Sequence, residues 1–241
     1  WKRVLTIYFV SFFFNNFLPA GVGLDLTRAF YAARETGKRA ESLASVIVDR
    51  VLGFLGLLFF ALFAFLFFVK NAEGMRFFLF FLGGTLLVLL LAYGFLKKEL
   101  VKKLGKPLYG IRVLSLGEQL RKLYNSIYLY RGKKRASFEA VAYSFLLQGL
   151  IVLDNYLVGT SLGLDVPLLH YLAYIPIICI VSTVPISING LGVREGSYLL
   201  LFSRAGIPSV QALSLSLVFF LIGFACSLIG GLLFPVLQRR G

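Results

Sequence analysis

One stretch of the chain, Pro185-Ile186-Ser187-Ile188-Asn189-Gly190-Leu191-Gly192-Val193-Arg194-Glu195-Gly196, sets a guanidinium beside a carboxylate inside apolar sequence. No residue from Val166 to Val193 is charged, and none from Ser197 to Phe202. Ionisable side chains at membrane depth are costly and usually functional, so Arg194 and Glu195 read as a site. An arginine can hold a phosphate through paired N–H donors. A neighbouring carboxylate can hold that arginine in place, or couple it to protons or ions. Pro185 breaks a helix by removing a donor and clashing with the preceding turn. Gly190 and Gly192 then allow backbone geometry that other residues resist, and Asn189 adds a carboxamide. At membrane depth such a break is tolerated only where protein or a water-filled cavity satisfies the freed backbone groups.

A second stretch repeats the pattern. Pro19, Gly21 and Gly23 precede Asp25 and Arg28, after an apolar run from Val4 to Leu18 that Asn15 and Asn16 interrupt. Fifteen residues are short for a span, which needs about 20. Basic residues flank the run on both sides, Lys2 and Arg3 before it and Arg28, Arg34, Lys38 and Arg39 after it. That suggests a re-entrant hairpin, with an ordinary span capped by Pro-Gly as the alternative. Asp49-Arg50 is a third charged pair, either interfacial or drawn partly below the headgroups. On a helix at 3.6 residues per turn, Ser144, Gln148 and Asn155 share one face with Asp154 beside it, a secondary polar stripe that implies contact with protein or water.

The elements that must position these residues are membrane helices. The chain has 241 residues, 59% of them hydrophobic, with mean hydropathy +0.85, which excludes an ordinary soluble domain. Val51–Val69 and Phe77–Leu96 are uncharged runs of spanning length, and Phe138–Leu162 and Ser209–Leu237 are two more spans. The last carries a stripe of small residues, Ala212, Ser216, Gly223, Ser227 and Gly230, suited to close helix packing. Net charge is +14. Twelve Lys or Arg against two Glu lie between Lys97 and Arg135, which puts this loop in the cytoplasm by the positive-inside rule. Leu116, Leu120, Leu123, Ile127 and Tyr130 recur there at helical spacing, as an amphipathic helix on an anionic leaflet or a solvated linker helix. Nucleic acid is not the partner expected. Cys179 and Cys226 read as inert apolar residues, His170 as a packed or interfacial one, and no metal or cofactor is expected. A start at Trp1 rather than methionine suggests preceding sequence.

Topology constrains the rest. With the loop inside, Val51–Val69 and Phe77–Leu96 form a hairpin, and Lys2–Arg3 and Arg28–Arg50 share the cytoplasmic side. With Arg239-Arg240 also inside, Val166–Gly206 must begin and end outside. The fold class expected is therefore an all-α polytopic membrane protein of the cell membrane. It has about four full spans plus two re-entrant broken-helix elements in an inverted repeat. Residues 1–96 form the first repeat, 97–137 the basic loop and 138–241 the second repeat. Such repeats place a substrate near the midplane, with helix ends aiming N–H groups at an anion. Arg28, Arg50 and Arg194 would supplement them, and Asp25, Asp49 and Glu195 would hold the arginines.

On Leu18-Pro19-Ala20-Gly21 to Arg28, on Ser45 to Gly53, and above all on Gly190-Leu191-Gly192-Val193-Arg194-Glu195, the chain resembles the transmembrane (flippase) region of lysylphosphatidylglycerol synthetases and their stand-alone relatives. The first of these elements is the loosest, with Val22 and Leu24 where glycine-rich sequence is common. The resemblance covers nearly the whole chain and implies movement of phospholipids, or lipid-linked headgroups, between leaflets. It does not extend to the soluble aminoacyl-transfer domain of two-part members, so synthesis of lysyl-lipid is not among its implications.

The residues alone leave other classes open. An ion-coupled transporter of a small anion would share the architecture but need a closed central cavity, where a lipid carrier needs a groove open sideways. A membrane enzyme acting on lipid phosphate is disfavoured, because no metal-ligand cluster and no nucleophile with a base partner stands out. A scaffold with structural kinks would leave Arg194 and Glu195 unexplained. The partners expected are membrane phospholipids and the anionic leaflet. A second copy of the chain and a separate lipid-modifying enzyme are compatible protein partners. Asn189 should be reached from outside and Ala20 from inside.

Overall fold

Apolar sequence in lipid must satisfy each backbone donor and acceptor within the protein, and helices do this within one segment. The computed structural model describes residues 2–18, 22–68, 72–96, 134–183, 187 and 189–239, and the regular structure among them is helical, with no strand. Among the described residues eight helices follow in order: α1 Lys2–Asn15, α2 Val22–Thr36, α3 Arg39–Phe65, α4 Ala72–Leu96, α5 Lys134–Ser161, α6 Leu168–Ser182, α7 Val193–Arg204 and α8 Ser209–Arg239. Arg39–Phe65, Phe138–Ser161 and Ser209–Pro235 are long and apolar enough to cross a bilayer, and α4 covers the expected run Phe77–Leu96. The fold is that of a polytopic α-helical membrane protein. The amphipathic pattern within the basic loop falls at residues 116–130, outside the described residues, as do Pro19, Gly21 and Pro185.

The chain divides into two compact units, Trp1–Ala32 with Leu147–Gly241, and Ala33–Leu146. In the second unit α3 packs against α4, with Phe65 stacked on Phe81 at 5.6 Å. Helix α3 starts well before the expected span at Val51, since no proline or glycine interrupts residues 39–52. Asp49 and Arg50 are therefore interior to a 27-residue helix rather than at its end.

In the first unit, α1 lies on α8, and α7 packs against both α6 and α8. Lipid is as apolar as leucine, so close backbone approach and hydrogen bonds hold such helices together more than burial does. The glycines of α8 provide the approach. A Cβ on Gly230 would stand 1.9 Å from the Phe9 carbonyl oxygen, and one on Gly231 2.9 Å from the Phe13 ring. Phe14 meets Phe234 edge to face at 5.2 Å. The other core joins α5, α6, α7 and α8 around Tyr171, Ile175, Tyr198, Phe202 and Leu215, each with at most 1% of its surface exposed.

Candidate functional site

Among the described residues, the one non-glycine with positive φ, Asn189, lies at the second break. Asn189, Gly190 and Gly192 have φ of +49°, +74° and +83°, a region open to glycine and, less freely, asparagine. Gly192 is the N-cap of α7. Having no side chain, it cannot cap the helix, and Glu195 takes over. The Gly192 N–H donates to Glu195 Oε2 at 2.5 Å, which is one half of a capping box. The other carboxylate oxygen, Oε1, accepts from Arg194 Nε at 3.1 Å and Nη2 at 2.6 Å. Side-chain exposure is only 11% and 14% for this pair. On its other side the Arg194 guanidinium lies 4.7 Å over the ring of Phe220 on α8, a cation–π contact of about 0.5–2 kcal/mol. Glu195 thus compensates the charge of Arg194 while satisfying an orphan N–H at the helix start. Two of the five guanidinium N–H groups are committed to it, leaving three for a ligand.

The first break is tied to the second by side-chain amides. Asn15 Nδ2 donates to Asn189 Oδ1 at 3.3 Å, and Asn189 Nδ2 donates to Asn16 Oδ1 at 3.1 Å. Asn16 Nδ2 also donates to Ser227 Oγ on α8 at 2.7 Å. Asn15 Oδ1 accepts the Leu24 N–H at 3.4 Å, in the first turn of α2. Gly23 approaches α1 closely: a Cβ there would stand 2.6 Å from the Phe14 carbonyl oxygen. The cluster therefore lies where the first turn of α2 and the segment leading into α7 come together. Both helix starts carry an acidic residue, Asp25 in α2 and Glu195 in α7. Among the described residues, no group of three His, Cys, Asp or Glu side chains is placed to hold a metal ion.

Below this, α7 is fastened to α5. The Tyr198 hydroxyl donates to Asn155 Oδ1, and Asn155 Nδ2 donates to the Ile151 carbonyl at 2.8 Å. Asn155 is fully buried and Tyr198 nearly so. One residue away on α5, Asp154 lines a broad depression of about 400 Å³ with Leu150, Ile151, Leu157 and Phe219.

The family model described as "Lysylphosphatidylglycerol synthase TM region" matches residues 1–231. The chain belongs to this family. It is similar to the UPF0104 membrane protein PH1989 of Pyrococcus horikoshii, 26% identical over 99% of this chain and 77% of the relative. It is also similar to the UPF0104 membrane protein MJ1595 of Methanocaldococcus jannaschii, 25% identical over 99% of this chain and 75% of the relative. No solved structure matches.

Within this family member, the sequence-predicted residues fall as follows. Asn189, Arg194 and Glu195 gather at the second break, with the pair on the first turn of α7 rather than inside the break itself. Gly23, Asp25 and Arg28 stand on α2, which begins at Val22, so Gly23 lies in the helix rather than in the break. Asp49 and Arg50 belong to α3 in the second unit. Of the polar stripe, Ser144 and Asn155 are buried and Gln148 half-buried. Asn15, Asn16, Ser227 and Tyr198 are the residues sequence reasoning passed over. The two asparagines did interrupt an apolar run, which was the available signal. Ser227 looked like one small residue in a packing stripe, and Tyr198 like an ordinary core aromatic.

Proposed function

We propose that this protein is a lipid translocator. It moves an anionic or otherwise phosphate-bearing phospholipid, or lipid-linked headgroup, between leaflets past the place where its two broken elements meet. The observation that carries this reading is the hydrogen bonding of Asn189 to both Asn15 and Asn16. Two re-entrant elements inserted from opposite faces would meet near the midplane, where carriers of this design bind substrate. The meeting point offers what a phosphate needs: carboxamide donors, the first turns of two helices, and an arginine with uncommitted N–H groups. Arg28 would add positive charge on the path, held by Asp25. The depression beside Asp154 favours a lipid over a small soluble anion, because it lies on α5 and α8, both of spanning length, and is broad rather than enclosed.

The test is lipid flip in reconstituted liposomes. Fluorescent phosphatidylglycerol, phosphatidylethanolamine and a polyprenyl-phosphate analogue are followed by quenching from outside. At least one lipid should cross faster with the protein present, and Arg194→Ala should remove that gain while the protein remains inserted. No acceleration of any lipid, with or without ion gradients, would overturn the reading in favour of the small-anion transporter.

A further inference from the structure

We infer that Tyr198 and Asn155 are positioning residues, which hold Arg194 at a set distance from the lateral depression on α5. The inference rests on the translocator reading and names how its two ends are kept in register. Helix α7 has only 12 residues, and its first turn carries Arg194 and Glu195. Tyr198 lies one turn beyond Arg194 on the same face, since residues four apart are neighbours on a helix. Whatever fixes Tyr198 about the helix axis therefore fixes Arg194.

Two contacts do so. The Tyr198 ring stacks on Phe202 at 5.7 Å with 9° between planes, and its hydroxyl is bound by Asn155 on α5. The stack lies within α7, and Phe202 in turn meets Tyr171 and Tyr174 of α6 edge to face. The hydrogen bond is the contact that ties Tyr198 to α5. Its partner is itself held, because Asn155 Nδ2 is spent on the Ile151 carbonyl. Both groups are buried, so rotation of α7 would leave a hydroxyl and a carboxamide oxygen without partners, a costly outcome in an apolar core.

Sequence adjacency makes this bond a ruler. On α5, Ile151 and Asp154 line the depression, while the Ile151 carbonyl and Asn155 form the anchor. On α8, Phe219 lines the depression and the next residue, Phe220, lies under the guanidinium. A headgroup at Arg194 and an acyl chain in the depression would thus be registered through the same few residues on both sides.

The experiment uses Tyr198→Phe, which keeps the ring and its stack, Asn155→Leu, and the double variant. Flip is measured across lipid concentrations, beside thermal unfolding and Arg194→Ala. Each single variant should raise the half-saturating lipid concentration about tenfold, with a smaller effect on maximal rate. The double variant should be no worse than Asn155→Leu alone, since both substitutions remove the same interhelix bond. Spin labels at Gly196→Cys on α7 and Leu153→Cys on α5, in a background lacking Cys179 and Cys226, read position without transport. The distance distribution should broaden in Tyr198→Phe. An unchanged distribution overturns the inference, as does native half-saturation in Tyr198→Phe or a loss that merely follows loss of folded protein. If Arg194→Ala abolishes flip while Tyr198→Phe is native, the ruler fails and the translocator stands. If no lipid moves in the native protein, the translocator fails, and the spin-label distances alone decide whether the bond positions α7.

Discussion

Single residues at the second break do separable jobs. Gly192 is a conformational requirement alone, because nothing lies within 4 Å of the Cβ that alanine would add. Gly192→Ala should then cost about 1–3 kcal/mol from backbone conformation alone, read as a lower unfolding midpoint in detergent. Gly190→Ala adds a contact of 3.3 Å with Ser182 Cβ to the same strain, so it should unfold at a lower temperature than Gly192→Ala. Glu195→Gln keeps an oxygen for the Gly192 N–H but loses the charge opposite Arg194. Flip should fall at least tenfold in Glu195→Gln and the unfolding midpoint should fall with it, because a cation in an apolar setting loses its counter-charge even though the cap survives. A native flip rate in that variant would mean that Glu195 serves the helix start only.

Helix pairs show a different logic. The α1–α8 contact is set by one glycine whose Cβ position is occupied by backbone, and backbone cannot yield as a flexible side chain can. Gly230→Ala should push the helices apart and lower stability by about 1–3 kcal/mol or more. Gly223→Ala, whose added atom would meet only the Phe12 ring at 3.9 Å, should be near neutral. Equal unfolding midpoints for the two would contradict the packing described. The same register carries Asn16 to Ser227, so an α1 that shifts on α8 also shifts one end of the amide cluster. Gly230→Ala is therefore expected to slow flip in the fraction that stays folded.

Across the whole molecule, the arrangement to be tested is the opposed entry of the two broken elements. In a background without Cys179 and Cys226, a cysteine at Asn189 should react with an impermeant reagent added outside, and one at Ala20 with reagent added inside. Labelling of both from one side would refute the inverted arrangement. The distribution of charge belongs to this scale too. With +10 net between Lys97 and Arg135, substituting six of those residues with glutamine should weaken attachment of that segment to anionic vesicles, measured on the isolated peptide at low and high salt.

Several features were legible in the chain because they depend on composition and local chemistry. Spanning helices follow from runs of uncharged residues, since lipid accepts no other open-chain backbone. The family was readable in the Gly190-Leu191-Gly192-Val193-Arg194-Glu195 string. The glycines at 190 and 192 and the charged pair beside them announced a polar cluster, because charge is expensive where the neighbours are apolar. What lay beyond the sequence were pairings across long separations. Nothing in Asn15 or Asn16 names Asn189, more than 170 residues away, and a carboxamide can satisfy itself on nearly any donor or acceptor. Tyr198 and Asn155 had the same ambiguity, as a core aromatic and a stripe residue until α7 was laid against α5. The run of α3 through Asp49 and Arg50 was legible, because neither proline nor glycine interrupts residues 39–52, whereas the fit of Gly23 against Phe14 was decided by packing. The residue types settled that a polar site would exist in apolar surroundings, and tertiary structure settled which polar groups meet there, because hydrogen-bond partners are chosen by geometry rather than by sequence.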